Sequence, residues 1–152
     1  MNLTISETTL RHVQDFLANV RVFDMKEANM GELPFVDNTL KSLSNCMTLH
    51  DEDGRVFAIG GVEPDITCGR IYGLVWMLCT TRVEEHPIAF LRYMKRVLVF
   101  TFKTSPYTRL SNQVWLGNTL HVKWLKYMGA HMLDKTANGQ LQYFEFRKED
   151  YM

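Results

Sequence analysis

A chain of 152 residues, 46% hydrophobic and 22% charged, is long enough for one buried core and too short for two ordinary domains, so a single domain over residues 1–152 is expected. Its 17 Lys and Arg balance 17 Asp and Glu, which excludes a general field for nucleic acid or an anionic membrane, and neither is expected as a partner. Cys46, Cys68 and Cys79 form no C-x-x-C pair and point to a reducing compartment, while the chain has neither a membrane-length apolar run nor a signal-like start in MNLTISETT.

In chain order, Leu3 and Ile5 alternate with polar neighbours as a short strand. Thr8 or Thr9 can then cap a helix with Leu10, Val13, Leu17 and Val20 on one face. Helical character resumes over Val22 to Met30 and stops at Gly31. GELPF is irregular, and DNTLKSLSN reads as another short helix. CMTLH and RVFAIGGVE are strands joined by DEDG, whose Asp-Gly step predicts a hairpin; the same four residues lack the spacing of a calcium loop. PDITCG makes the next turn, and the nearly continuous apolar run RIYGLVWMLCT suits a central strand. Pro87 opens the longest helix, to about Lys103, with Ile88, Leu91, Met94, Val97 and Leu98 as its apolar stripe. Arg92, Lys95, Arg96 and Lys103 form a basic ridge on it, read as its wet face or as a seat for an acidic partner.

The stretch QVWLGNTLHVKWLKYMGA, residues 113 to 130, runs from a strand straight into a helix. Gly117 frees the backbone, Asn118 or Thr119 can cap the helix, and Gly129 stops it. Leu120, Trp124 and Met128 make its apolar stripe. HMLDKT and QLQYFEFRK, joined by ANG, close the chain as a hairpin.

This order predicts an α/β fold with a mixed sheet and helices on both faces. Together with the N-x-x-x-x-x-x-x-x-x-x-G run from Asn118 to Gly129, it resembles the GNAT family, the GCN5-related N-acetyltransferases. The tail from Asp134 to Phe144 after VWLGNTLHVKWLKYMGA is, more narrowly, similar to the GNAT-like internal virion proteins of short-tailed coliphages. The resemblance implies a central, mostly antiparallel sheet of about seven strands whose middle strands splay apart.

It also implies a site. The pantetheine arm of acetyl-CoA would bond to the edge of the fourth strand at Leu78, Cys79 and Thr80 like an added strand, with Thr81, Arg82 and Asn118 completing cofactor binding. His121 or Glu63 would manage protons, with His86 a further candidate. Two features depart from the family. The pyrophosphate loop reads Arg82-Val83-Glu84-Glu85-His86-Pro87, with Glu85 at a glycine position and a proline that removes a donor N–H. Two like charges about 5 Å apart cost on the order of 3 kcal/mol at an effective dielectric near 20. The Tyr that often protonates the thiolate is replaced by Leu125, and Tyr127 lies on the opposite side of the helix.

Two readings from different classes follow. One is an acyl-CoA-dependent N-acetyltransferase acting on an amine of a small molecule or protein. The other is a catalytically degenerate GNAT scaffold in which acetyl-CoA binds weakly or not at all, serving virion morphogenesis or binding a phage or host protein. Either would work in the host cytoplasm, and the second could be packaged in the virion.

Overall fold

The computed structural model describes residues 2–30, 46–65 and 71–152. The irregular GELPF stretch, the helix expected over DNTLKSLSN, Cys68 and most of the PDITCG turn lie outside the described residues. The elements are β1 (Thr4–Glu7), α1 (Leu10–Asn19), α2 (Val22–Asn29), β2 (Met47–His50), β3 (Val56–Pro64) and β4 (Tyr72–Cys79). After these come a single turn α3 (Arg82–Glu85), the long α4 (Pro87–Thr104), β5 (Arg109–Trp115), α5 (Thr119–Met128), β6 (His131–Lys135) and β7 (Leu141–Arg147). The strands form a seven-stranded sheet in the order β1-β2-β3-β4-β5-β7-β6. The mixed, mostly antiparallel α/β fold expected from the sequence is the one observed, with β4 and β5 its parallel pair.

The chain divides into two compact units, Met1–Gly61 with Trp76–Phe90, and Val62–Val75 with Leu91–Met152. In the first, Phe16, Cys46, Val56, Ile59 and Leu78 form the core, with Val20, Ala28 and Trp76 packed against it. Thr9 caps α1 in a reciprocal arrangement: its hydroxyl accepts from the His12 N–H, and the His12 ring accepts from the Thr9 N–H. The buried face of α1 is Val13 and Phe16, not the expected Leu10 and Leu17, which are 66% and 48% exposed. Those two lie roughly 80° round the helix from the Val13–Phe16–Val20 stripe, and the larger Phe16 ring takes the core position.

The β2–β3 hairpin forms at DEDG as expected. Gly54 has φ +80°, and the Asp51 carboxylate accepts from the N–H groups of Asp53 and Arg55. On β3, Gly60 has a different role. A Cβ there would stand 2.6 Å from the Trp76 carbonyl oxygen of β4, so the backbone itself would have to move. Gly60→Ala is expected to destabilise the protein by about 2 kcal/mol, read as a lowered urea midpoint with unchanged slope; an unaltered midpoint would contradict the close approach.

In the second unit Leu110, Val114, Phe144, Phe146, Trp124, Leu125 and Met128 are buried. On α4 the buried residues are Phe90, Leu91, Leu98 and Phe102; Ile88, expected in the stripe, is 67% exposed in the first turn. Gly129 ends α5 in the left-handed region at φ +98°, its N–H shared between the Leu125 and Lys126 carbonyls. Gly117 serves space rather than an unusual φ, since a Cβ there would meet the Trp115 indole at 2.2 Å. Asn118 precedes the helix, but its side chain makes no capping hydrogen bond and is buried, 1% exposed. The capping role expected of that side chain is therefore not the one it takes.

Candidate functional site

The candidate residues divide between the units: Leu78, Cys79, Thr80, Thr81 and Arg82 belong to the first, Glu63, Asn118 and His121 to the second. In the second unit β4 and β5 pair in parallel through Tyr72, Gly73 and Leu74 against Arg109, Leu110 and Ser111. At the next residue the Asn112 side-chain amide, rather than a ladder N–H, donates to the Val75 carbonyl at 2.9 Å. Asn118 stands at the start of α5, and His121 is half-buried in its first turn. Glu63 is half-buried near the end of β3. Leu125 is buried, and Tyr127, 56% exposed, lies under the Lys95 ammonium at 4.6 Å from the ring centre.

In the first unit the end of β4 is closed by the chain itself. Thr80 N–H donates to the Phe57 carbonyl of β3, so the backbone groups of Cys79, one residue earlier, point to the other edge of the strand. There the junction between α1 and α2 acts as a one-bridge antiparallel strand, Val20 opposite Thr80. Arg21 N–H donates to the Cys79 carbonyl at 3.0 Å, and Thr81 N–H donates to the Asn19 carbonyl at 3.0 Å. The remaining group, Cys79 N–H, donates to the Asp24 carboxylate at 2.6 Å.

Asp24 is held by charge. Arg21 and Asp24 are 4% and 2% exposed, and the Arg21 guanidinium donates to Asp24 and, at 2.7 Å, to Glu84. Burial opposes the charge on Arg21, but the Glu84 hydrogen bond and the Asp24 carboxylate outweigh it and raise its pKa. Burial first, and the neighbouring Asp24 charge second, push the Cys79 thiol well above its ordinary range. It stays protonated at neutral pH and is no nucleophile. Glu84 is thus a partner of Arg21 as well as a first-turn acid, while Glu85 is exposed.

Two of the loop donors are spent in the same way. Val83 N–H donates to the Thr80 carbonyl, and Glu84 N–H donates to that of Thr81. The Thr80 hydroxyl donates to the Val56 carbonyl at 2.8 Å. Arg82 reaches back to α1, where its guanidinium grips Asp15 in a two-pronged pair at 2.5 and 3.1 Å and also donates to the Val56 carbonyl. That hydrogen bond holds the Asp15 carboxyl below its ordinary pKa against the opposing effect of burial.

Acetyl-CoA would need the edge of β4 at Cys79, free N–H groups at the next turn and a cation for its phosphates. The residues present fit that group poorly: the edge of β4 at Cys79 is engaged by Arg21 and Asp24, the Arg82 cation by Asp15, and the Val83 and Glu84 N–H groups by the loop's own carbonyls. Arg21, Asp24 and Asp15 carry no motif that marks them for this place. The i, i+3 spacing of Arg21 and Asp24 at a helix start was the available signal, and it points equally to an exposed pair.

A seven-stranded mixed sheet whose β4–β5 pairing stops short defines the GNAT fold. A GNAT-family acetyltransferase from Bacillus anthracis superposes with a TM-score of 0.73 at 12% identity, covering 98% of this chain and 96% of that one. Spermidine N-acetyltransferase from Vibrio cholerae, solved with CoA and spermine, gives 0.71 at 11% identity over 98% and 97% of the two chains. Likeness at this identity establishes the fold and not the activity. Residues 45–136 match the family described as Bacteriophage T7, probable scaffold protein Gp13, and the chain belongs to that family. The probable scaffold protein gp13 of Escherichia phage T7 is 30% identical over 114 residues, spanning 74% of this chain and 78% of that protein.

Proposed function

We propose that this chain is a GNAT fold retired from acetyl transfer and used as a structural protein in phage particle assembly, where it binds another phage or host protein. The observation that carries the reading is the filled edge of β4, with both backbone groups of Cys79 engaged by Arg21 and Asp24. A pantetheine arm must displace those contacts and uncover a buried ion pair, which costs several kcal/mol before any phosphate contact is gained. Membership of a family described as probable scaffold protein Gp13 supports the assembly role. On this reading the protein is made in the host cytoplasm and joins the particle from there.

The test is a titration of acetyl-CoA followed by thermal shift and calorimetry. A micromolar site would gain about 4 kcal/mol at a thousandfold excess over Kd, a rise of many degrees for a chain of this size. The expected result is no shift at millimolar acetyl-CoA.

The short β4–β5 pairing favours a second reading, an acyl-CoA-dependent N-acetyltransferase with Leu78 to Arg82 and Asn118 around the cofactor and His121 or Glu63 as proton carrier. A micromolar shift with acetyl-CoA, lost in Asn118→Ala and accompanied by transfer to an amine that fails in His121→Ala or Glu63→Gln, would establish it instead.

A further inference from the structure

We propose that the exposed face of α4, from Arg92 to Lys103, docks an acidic amphipathic segment of another protein. In a chain whose charges cancel, α4 carries Arg92, Lys95, Arg96 and Lys103 and not one carboxylate. Leu91, Leu98 and Phe102 turn inward, while the four cations are exposed along about 17 Å of helix. Among the described residues none of the four has an ion pair, although Arg55, Arg82, Arg109 and Arg147 all do. Lys95 instead lies over the Tyr127 ring.

Apolar surface is set into this charge. Phe100 is 64% exposed, and with Val99, Lys95, Arg96 and Lys103 it lines a shallow hollow; Tyr127 adds a second exposed ring beside Lys95. An aromatic side chain ringed by cations suits a partner that brings one apolar residue to Phe100 and carboxylates around it. A second copy of this chain does not suit it, since a two-fold axis through α4 would oppose like charges. Nucleic acid suits it less well than a peptide. The hollow at Phe100 is shallow and not a groove that tracks a backbone, and Lys95 lies over the Tyr127 ring on which a base would stack.

This surface draws on nothing at Cys79, so it stands or falls independently of the cofactor reading. The probe is a fluorescein-labelled helical peptide of about 20 residues whose one face carries Leu and Trp flanked on both sides by Glu, set beside a polyglutamate of equal charge and an oligothymidylate. At low salt the amphipathic peptide is expected to bind with a Kd below roughly 100 µM and to weaken with added salt. Arg96→Glu with Lys103→Glu should weaken it at least about tenfold, and Phe100→Ser about fivefold, with the melting temperature of each variant unchanged. Amide chemical-shift changes should map to α4 and Tyr127. Absence of binding at millimolar peptide, or binding indifferent to these substitutions, would overturn the proposal. So would an oligothymidylate that binds more tightly than the peptide through the same residues, or self-association abolished by the same charge reversals.

Discussion

Arg21→Ala is expected to destabilise the protein by about 3–5 kcal/mol, the cost of leaving a carboxylate buried without its cation. Asp24 is 2% exposed and keeps its hydrogen bond from Cys79 N–H, so it has little freedom to turn toward water when the guanidinium goes. Glu84, half exposed, can do so at small cost, and the penalty falls on Asp24. Adding Asp24→Asn removes the stranded charge while preserving an oxygen for Cys79 N–H. The double variant should therefore recover stability relative to the sum of the single changes, with a coupling of about 2 kcal/mol in a denaturant cycle. A loss below about 1 kcal/mol for Arg21→Ala would mean that the pair is solvated in solution and that the edge of β4 is open. The same variant thus reports on stability and on the main support for a non-catalytic role.

The elements of this fold were legible because their signals are local. The alternation at Leu3 and Ile5, the Asp-Gly step at Gly54, and the Thr9 and Gly129 caps act over a few residues, and the structure has a strand over Thr4–Glu7, the turn at Gly54 and both caps. The choice of buried face was less legible. Leu10 and Leu17 are as apolar as Val13 and Phe16, and only the packing of the unit selects between two apolar faces of one helix. Least legible was the site. The loop from Glu84 to Pro87 departs visibly from the pattern that the resemblance implies, but the expected consequence is repulsion by two acids, whereas Glu84 is drawn onto Arg21. The closure of β4 depends on Asp24 meeting Cys79 across 55 residues of sequence, and Arg82 meeting Asp15 across 67. No spacing rule predicts such tertiary pairs, and a resemblance to cofactor-binding relatives points the other way. Asn118 shows the same limit: its type suits a helix cap, yet its side chain is buried and does not cap.

Asp15→Asn is expected to lower stability by about 2 kcal/mol at neutral pH and to flatten its dependence on acid. The Arg82 hydrogen bond depresses the Asp15 pKa in the folded state, with the Val56 N–H bond acting in the same direction and burial opposing both. A carboxyl depressed on folding contributes stability that is full above its unfolded pKa, near 3.9, and that fades as pH falls through the lower folded value. The difference between the wild-type and Asp15→Asn proteins should therefore be constant from neutral pH to about 5 and shrink below about 4. Asp51 is also depressed, despite burial, by hydrogen bonds from Arg55, but it is present in both proteins and cancels in the difference. At neutral pH the loss amounts to a few degrees in melting temperature. A difference that persists undiminished at pH 2 to 3 would show that the hydrogen bonds of Asp15 with the Val56 N–H and the Asn19 amide, and not its charge on Arg82, account for its contribution.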